Sequence, residues 1–371
     1  MPGLYIGSTS GYSGKNTITV GLGQAFRQAG LSIGYMKPVG AMPVETPAGL
    51  ADEDALFVRG ALGLEADPAH TPQAMTPVVV THDFKMDAFA GRLPGIAGGG
   101  GDGGLMAQVQ AAYQTLSAGR DIMLVAGSGS MYSGKYSGLD AVSLVKTLGA
   151  SGETFKAVVI DRFEKELNYD LLLMLSEQLG AGLAGVVLND VPPPFLEEVA
   201  GHLAPFLESR GIPVLGILPR DPLMGSITVG DLAARLGGKV ISAHHRTDRV
   251  VSQFLIGTMQ VENFMLHFRK KKNAAVIVGG DRSDVQLVAL EGDCPCLVLT
   301  GNLYPNDVIL TRSEVLETSI IIVREDTFTV AKKMENLLTR HKMRDAVKVR
   351  QGAELVAKHL RLDALRATLG I

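Results

Sequence analysis

The stretch Gly7-Ser8-Thr9-Ser10-Gly11-Tyr12-Ser13-Gly14-Lys15-Asn16-Thr17 decides the fold of this chain. It follows a short aliphatic run, Leu4 to Gly7, and leads into a segment where Ile18, Leu22, Ala25, Phe26 and Ala29 fall at helical spacing. Strand, glycine-rich turn and helix in that order surround an anion with backbone N–H groups and a helix N-terminus, and the lysine adds a compact positive charge. Glycine is required where a Cβ would collide with phosphate or where φ must be positive. Against the pattern G-x4-G-K-[ST], Gly14 and Lys15 are intact, Thr9 stands at the first glycine, Asn16 at the Ser/Thr, and Thr17 comes one residue late. Ser10, Gly11, Ser13, Gly14, Lys15, Asn16 and Thr17 are therefore the expected phosphate contacts; the plain alternative is a glycine-rich turn.

A second segment copies the first. Gly127-Ser128-Gly129-Ser130-Met131-Tyr132-Ser133-Gly134-Lys135-Tyr136-Ser137 shares Gly-Ser-x-Ser-x-Tyr-Ser-Gly-Lys with it at equal spacing and also follows an apolar run, Asp121 to Ala126. No helix starts at once after Lys135, so it reads either as a substrate-side loop at a strand's carboxyl end or as a structural turn.

Working outward, apolar runs at Ser32 to Lys37, Ala157 to Ile160, Leu183 to Leu188 and Pro213 to Ile217 alternate with helical segments. That is the pattern of a mostly parallel sheet with helices on both faces. Pro219 to Gly225 breaks it. A smaller strand and helix alternation follows, with strands at Ala274 to Val278, Cys296 to Thr300 and Ser319 to Val323. The expected organisation is a domain over 1–222, a smaller α/β domain over 223–332 and a basic helical extension over 333–371. Cys294 and Cys296 flank a proline and read as small apolar residues on one face of an edge strand.

Composition sets limits. A length of 371 residues suits two domains, and 35 Lys+Arg against 38 Asp+Glu leave a formal charge of -3, which makes nucleic acid and membrane poor partners. Met1-Pro2-Gly3 runs straight into a strand, so a cytoplasmic protein is expected. The 44 glycines are about 12% of the chain against an ordinary 7% or so; one run, Gly95 to Gly104, reads as a loop beside the site or a surface insertion.

Gly7 to Thr17, Tyr35-Met36-Lys37-Pro38-Val39, Asp52-Glu53-Asp54-Ala55-Leu56-Phe57, Pro77 to Thr81, Gly185 to Asn189 and Gly216-Ile217-Leu218-Pro219 resemble, in order and spacing, the P-loop ATPases of the dethiobiotin synthetase and cobyrinic acid a,c-diamide synthase class. Gly279-Gly280-Asp281-Arg282-Ser283-Asp284 with Leu297 to Gly301 resembles a DRTGG domain. The pair is similar to the N-terminal half of long bacterial phosphotransacetylases. The acetyltransferase domain that follows there has no counterpart in these residues, so phosphate acetyltransfer is not expected.

The resemblance implies an ATP or ADP site in which Lys15 holds phosphates, Lys37 faces a substrate carboxylate and phosphate, and Asn189 lies near the base. A surface lysine and a strand-end turn are the alternatives for the last two. It also implies Mg2+ held by a P-loop threonine, an acid from the Asp52/Asp54 segment and a glutamate at the end of Ile122 to Ala126. Thr17, Asp52 and Asp54 are the candidates, although both acids also suit a helix N-terminus. Ala126 and Asn16 depart from that set and weaken the metal side. In the second domain Asp281 and Arg282 either bind a phosphate or pair locally with Asp284. The expected function is a nucleotide-binding sensor or regulator, as a homodimer, with weak or no phosphoryl transfer. The rival is an ATP-dependent synthase activating a small carboxylate.

Overall fold

The computed structural model describes residues 2–93, 104–150, 152, 154–166, 169–339 and 346–371. The glycine run Gly95 to Gly104 lies, apart from Gly104, outside them. The chain forms two compact units, Met1–Arg220 with Met343–Ile371, and Asp221–Lys342.

The first unit is built on six strands, β1 (Gly3–Ser8), β2 (Ile33–Met36), β3 (Ile122–Ala126), β4 (Phe155–Arg162), β5 (Leu183–Val191) and β6 (Val214–Pro219). They lie in the order β6-β5-β4-β1-β3-β2, every pairing parallel. β1, β2 and β3 are buried at every position, as a sheet covered on both faces requires. Each buried Leu, Ile or Val contributes on the order of 2 kcal/mol. Its helices include α1 (Lys15–Gln28), α2 (Glu53–Ala61), α3 (Leu105–Ser117), α4 (Ala141–Gly149) and α5 (Asp170–Leu179). Tyr5, Val125 and Val159 join Val109 and Tyr113 of α3, Leu144 and Val145 of α4, and Leu172 and Leu175 of α5 in one core.

α1 covers the other face, and small residues let it sit close. A Cβ at Gly23 would stand 2.5 Å from Leu62 and 3.2 Å from Leu124, and one at Gly21 2.5 Å from Val356. Val356 belongs to the helix Ala346–His359. The chain then docks on β6: Arg361 donates its N–H to the Leu215 carbonyl at 2.7 Å, and Leu360 forms a bridge with Gly216.

This corrects the expected extension over 333–371. Its last two helices, Ala346–His359 and Leu362–Leu369, complete the first unit, while Thr327–Thr339 belongs to the second. Arg350 and Lys358 of Ala346–His359 are exposed, whereas Lys348, Gly352 and Val356 are buried, Val356 against Gly21 of α1.

In the second unit β7 (Lys239–Ser242), β8 (Gln253–Ile256), β9 (Ala274–Gly279), β10 (Cys296–Thr300) and β11 (Ser319–Ile322) lie in the order β7-β11-β10-β9-β8. Only β7 runs antiparallel to its neighbour. Alternate residues serve two cores, Ile277 and Val298 on one face and Val276, Val278 and Leu299 on the other. Cys296 belongs to the first core and Cys294 to the second, and β10 is the central strand. The expectation of two cysteines on one face of an edge strand is corrected: Cys294 precedes the strand rather than continuing its alternation.

Candidate functional site

β1 ends at Ser8, beside β3 on one side and β4 on the other. The chain crosses from one side of β1 to the other between β3 and β4, so a crevice opens at the carboxyl edge here. Residues 9–14 fill its mouth. Thr9 N–H is anchored on the Ile160 carbonyl at 3.0 Å, Ser13 donates to the Ser10 carbonyl at 2.9 Å, and Gly14, with φ +96°, turns the chain into α1.

α1 begins differently from α2 and α4. α2 and α4 are capped by the carboxylates of Asp52 and Asp140. α1 has no side-chain cap and no acid in its first turn, which leaves its first N–H groups and the positive end of its dipole directed at the crevice.

The Lys15 ammonium folds back over the loop, donating to Ser8 Oγ at 2.7 Å and to the Gly129 carbonyl at 2.7 Å. Burial, followed by the charge of Lys37, brings its pKa down to about 8, with Asp54 pulling the other way. Asn189, at the end of β5, donates its amide to the Ser13 carbonyl at 2.8 Å.

The second loop packs on the first. Gly127 and Met131 donate their N–H groups to the carbonyls of Ile6 and Ser8, both at 2.9 Å, and Gly134 repeats the left-handed turn of Gly14 with φ +89°. Its lysine diverges. Lys135 is mostly exposed, 3.2 Å from the fully buried Asp140 carboxylate, and only a short 3-10 turn, Lys135–Ser137, follows. Shared sequence has given shared turns but a different lysine direction.

Lys37 follows β2 and is 4% exposed, which excludes the surface-lysine alternative. Its ammonium lies 2.7 Å from Asp52 Oδ1 and 3.4 Å from Asp54 Oδ2. Asp52 is fully buried and fully used: Oδ1 also accepts from Ala55 N–H and Oδ2 from Met42 N–H, each at 2.9 Å. Mg2+ demands near-octahedral oxygen donors with one or two free carboxylates. Here Asp52 is a helix cap paired with lysine, Ala126 offers a methyl group, and Asn16 a neutral amide. Among the described residues no three His, Cys, Asp or Glu are grouped to hold a metal ion. At the threonine and glutamate positions, Asn16 and Ala126 do not fit the metal set that the resemblance implies, while at the acidic position Asp54 lies 3.4 Å from the Lys37 ammonium.

One functional candidate escaped sequence reasoning. Asp161 near the end of β4 is 9% exposed and accepts a hydrogen bond from Thr9 Oγ1 of the loop. Burial raises its pKa to about 6, Glu164 adds to the rise, and the Thr9 hydrogen bond opposes it. The available signal was an acid ending the apolar run Ala157 to Ile160, beside the loop's unusual threonine.

In the second unit Arg282 pairs with Asp284 at 2.9 Å and donates to the Met259 carbonyl at 3.1 Å. The local-pairing alternative is what the geometry shows for Arg282; Asp281 precedes it at the carboxyl edge of β9.

Residues 2–228, more than half of the chain, match the family described as AAA domain. The chain belongs to that family. Beyond its AAA domain, residues 231–337 match the DRTGG domain. Phosphate acetyltransferases are similar along nearly the whole chain. That of Synechocystis sp. is 21% identical over 373 aligned positions, covering 96% of this chain and 50% of the relative. That of Pseudomonas putida is 24% identical, covering 97% and 51%. The AAA domain is similar to the ATP-dependent dethiobiotin synthetase BioD of Pseudomonas paraeruginosa, 29% identical over 229 positions, covering 59% of this chain and 90% of the relative. The chain spans about half the length of the phosphate acetyltransferases it matches. No helix among the described residues is long and apolar enough to cross a membrane.

Proposed function

We propose that this chain is a nucleotide-binding regulator. The AAA domain holds the phosphates of ADP or ATP at Ser10, Gly11, Ser13, Gly14, Lys15, Asn16 and Thr17, and performs little or no phosphoryl transfer. The observation that carries this reading is the uncapped amino end of α1 behind Gly14, with the Lys15 ammonium folded over the same loop. Backbone donors, a helix dipole and one lysine converge there, a combination suited to phosphate oxygens. Slow transfer follows from the same site: with Ala126 and Asn16 at two of the positions that would hold a bridging cation, charge developing on a transferring phosphoryl group is poorly neutralised.

The second reading, an ATP-dependent synthase activating a small carboxylate, is favoured by the 29% identity to a dethiobiotin synthetase along 90% of that enzyme. Thermal unfolding with ADP, ATP, AMP and GTP, on wild type and Lys15→Ala, tests the first. A ligand that binds only the folded state raises Tm, so wild type should gain with adenine nucleotides and the variant should not. Equal shifts in both would overturn nucleotide binding at this loop, and phosphate release dependent on an added carboxylate would establish the synthase.

A further inference from the structure

Lys37 occupies the place where a divalent cation would draw its ligands. Its ammonium lies 2.7 Å from one candidate carboxylate and 3.4 Å from the other, and it is buried with Asp52. A metal claiming Asp52 would have to displace the lysine, the Ala55 cap bond and the Met42 N–H together. That would leave a buried ammonium without its partner. At the two other positions that the resemblance assigns to the metal, Ala126, which ends β3, and Asn16, in the first turn of α1, supply no carboxylate.

We propose that Lys37 is a built-in counterion that replaces the divalent cation, so that the loop takes a nucleoside diphosphate free of metal in preference to a metal-bound triphosphate. The inference rests on nucleotide binding at Lys15. Charge arithmetic gives the preference its direction. The two ammonium groups of Lys15 and Lys37 match the two carboxylates of Asp52 and Asp54 in number, so a bound phosphate draws on Lys15, backbone N–H groups and the α1 dipole with no further cation. A β-phosphate fits that supply. A γ-phosphate adds negative charge near Asp54 with no cation to bridge it.

Titration calorimetry of ADP and ATP with magnesium or with EDTA tests the proposal, on wild type, Asp54→Asn and Lys15→Ala. Asp54→Asn leaves the 2.7 Å Lys37–Asp52 pair in place, so the fold is retained. The expected result is an ADP affinity that changes by less than roughly twofold between magnesium and EDTA, an ATP affinity no tighter than that for ADP, and a gain of roughly two- to fivefold for both nucleotides in Asp54→Asn, in either buffer, through lost repulsion. Tightening of ATP by more than about tenfold with magnesium, lost in Asp54→Asn, would overturn the proposal while leaving nucleotide binding intact. Absence of binding in wild type, or binding undiminished in Lys15→Ala, would overturn the underlying function instead.

Discussion

Asn189 donates its side-chain amide to the Ser13 carbonyl at 2.8 Å and stands 2.4 Å from where a Cβ on Gly14 would lie. A residue expected near a base thus braces the phosphate loop from a neighbouring strand. Asn189→Ala removes the brace and should weaken nucleotide binding by roughly tenfold, with a stability loss of about 1 kcal/mol. Asn189→Asp, which cannot donate and sets a carboxylate against a carbonyl, should weaken it further. Calorimetric titration with paired urea unfolding separates the two effects.

Gly14→Ala should fail for two reasons that act together. Its φ of +96° is costly for any residue with a Cβ, and Asn189 occupies the space. A loss of about 2–3 kcal/mol in urea unfolding is expected, and combining it with Asn189→Ala should recover part of that loss. Failure of the double variant to recover any would argue against the steric account.

Asp161 predicts a pH dependence. Its folded pKa of about 6 lies above the ordinary 3.8, so the folded state holds the extra proton between those values. Stability should fall as pH rises through that window, and the cost should be fully present above about 6. Asp161→Asn keeps an acceptor for Thr9 and should be more stable than wild type by about 2 kcal/mol at neutral pH, with the difference vanishing near pH 4. Melting curves across pH check this; a constant difference would assign the effect to packing.

Lys37 and Asp52 form a buried pair, so each single change should cost more than the double. Lys37→Met and Asp52→Asn are each expected to lose about 3–5 kcal/mol, and the double variant less than their sum. A double-mutant cycle in denaturant measures the coupling.

The P-loop was legible because its chemistry is local: Gly14, Lys15 and the helical spacing of Ile18, Leu22 and Phe26 are neighbours in sequence. The parallel sheet was legible from apolar runs, since strands covered on both faces need no alternation. β7 and β8, partly exposed with mixed polar residues, carried no such signal. The contacts of Asn189, Asp161 and Gly129 were hidden for a different reason. Each depends on a contact more than a hundred residues away along the chain, which periodicity does not encode. The twin loop shows the converse, where matched sequence led to matched turns around Gly14 and Gly134 but not to matched lysines.

The chain leaves its first unit at Arg220 and re-enters it at Met343, and the returning helix rests against Gly21 of α1. During vectorial synthesis the DRTGG segment therefore leaves the ribosome, and is free to fold, before the phosphate loop's own helix has its last packing partner. Packing of α1 is thus completed only after the segment that interrupts the first unit has been made. A slow or defective fold in residues 221–342 should delay acquisition of nucleotide affinity even though no residue of that segment belongs to the loop.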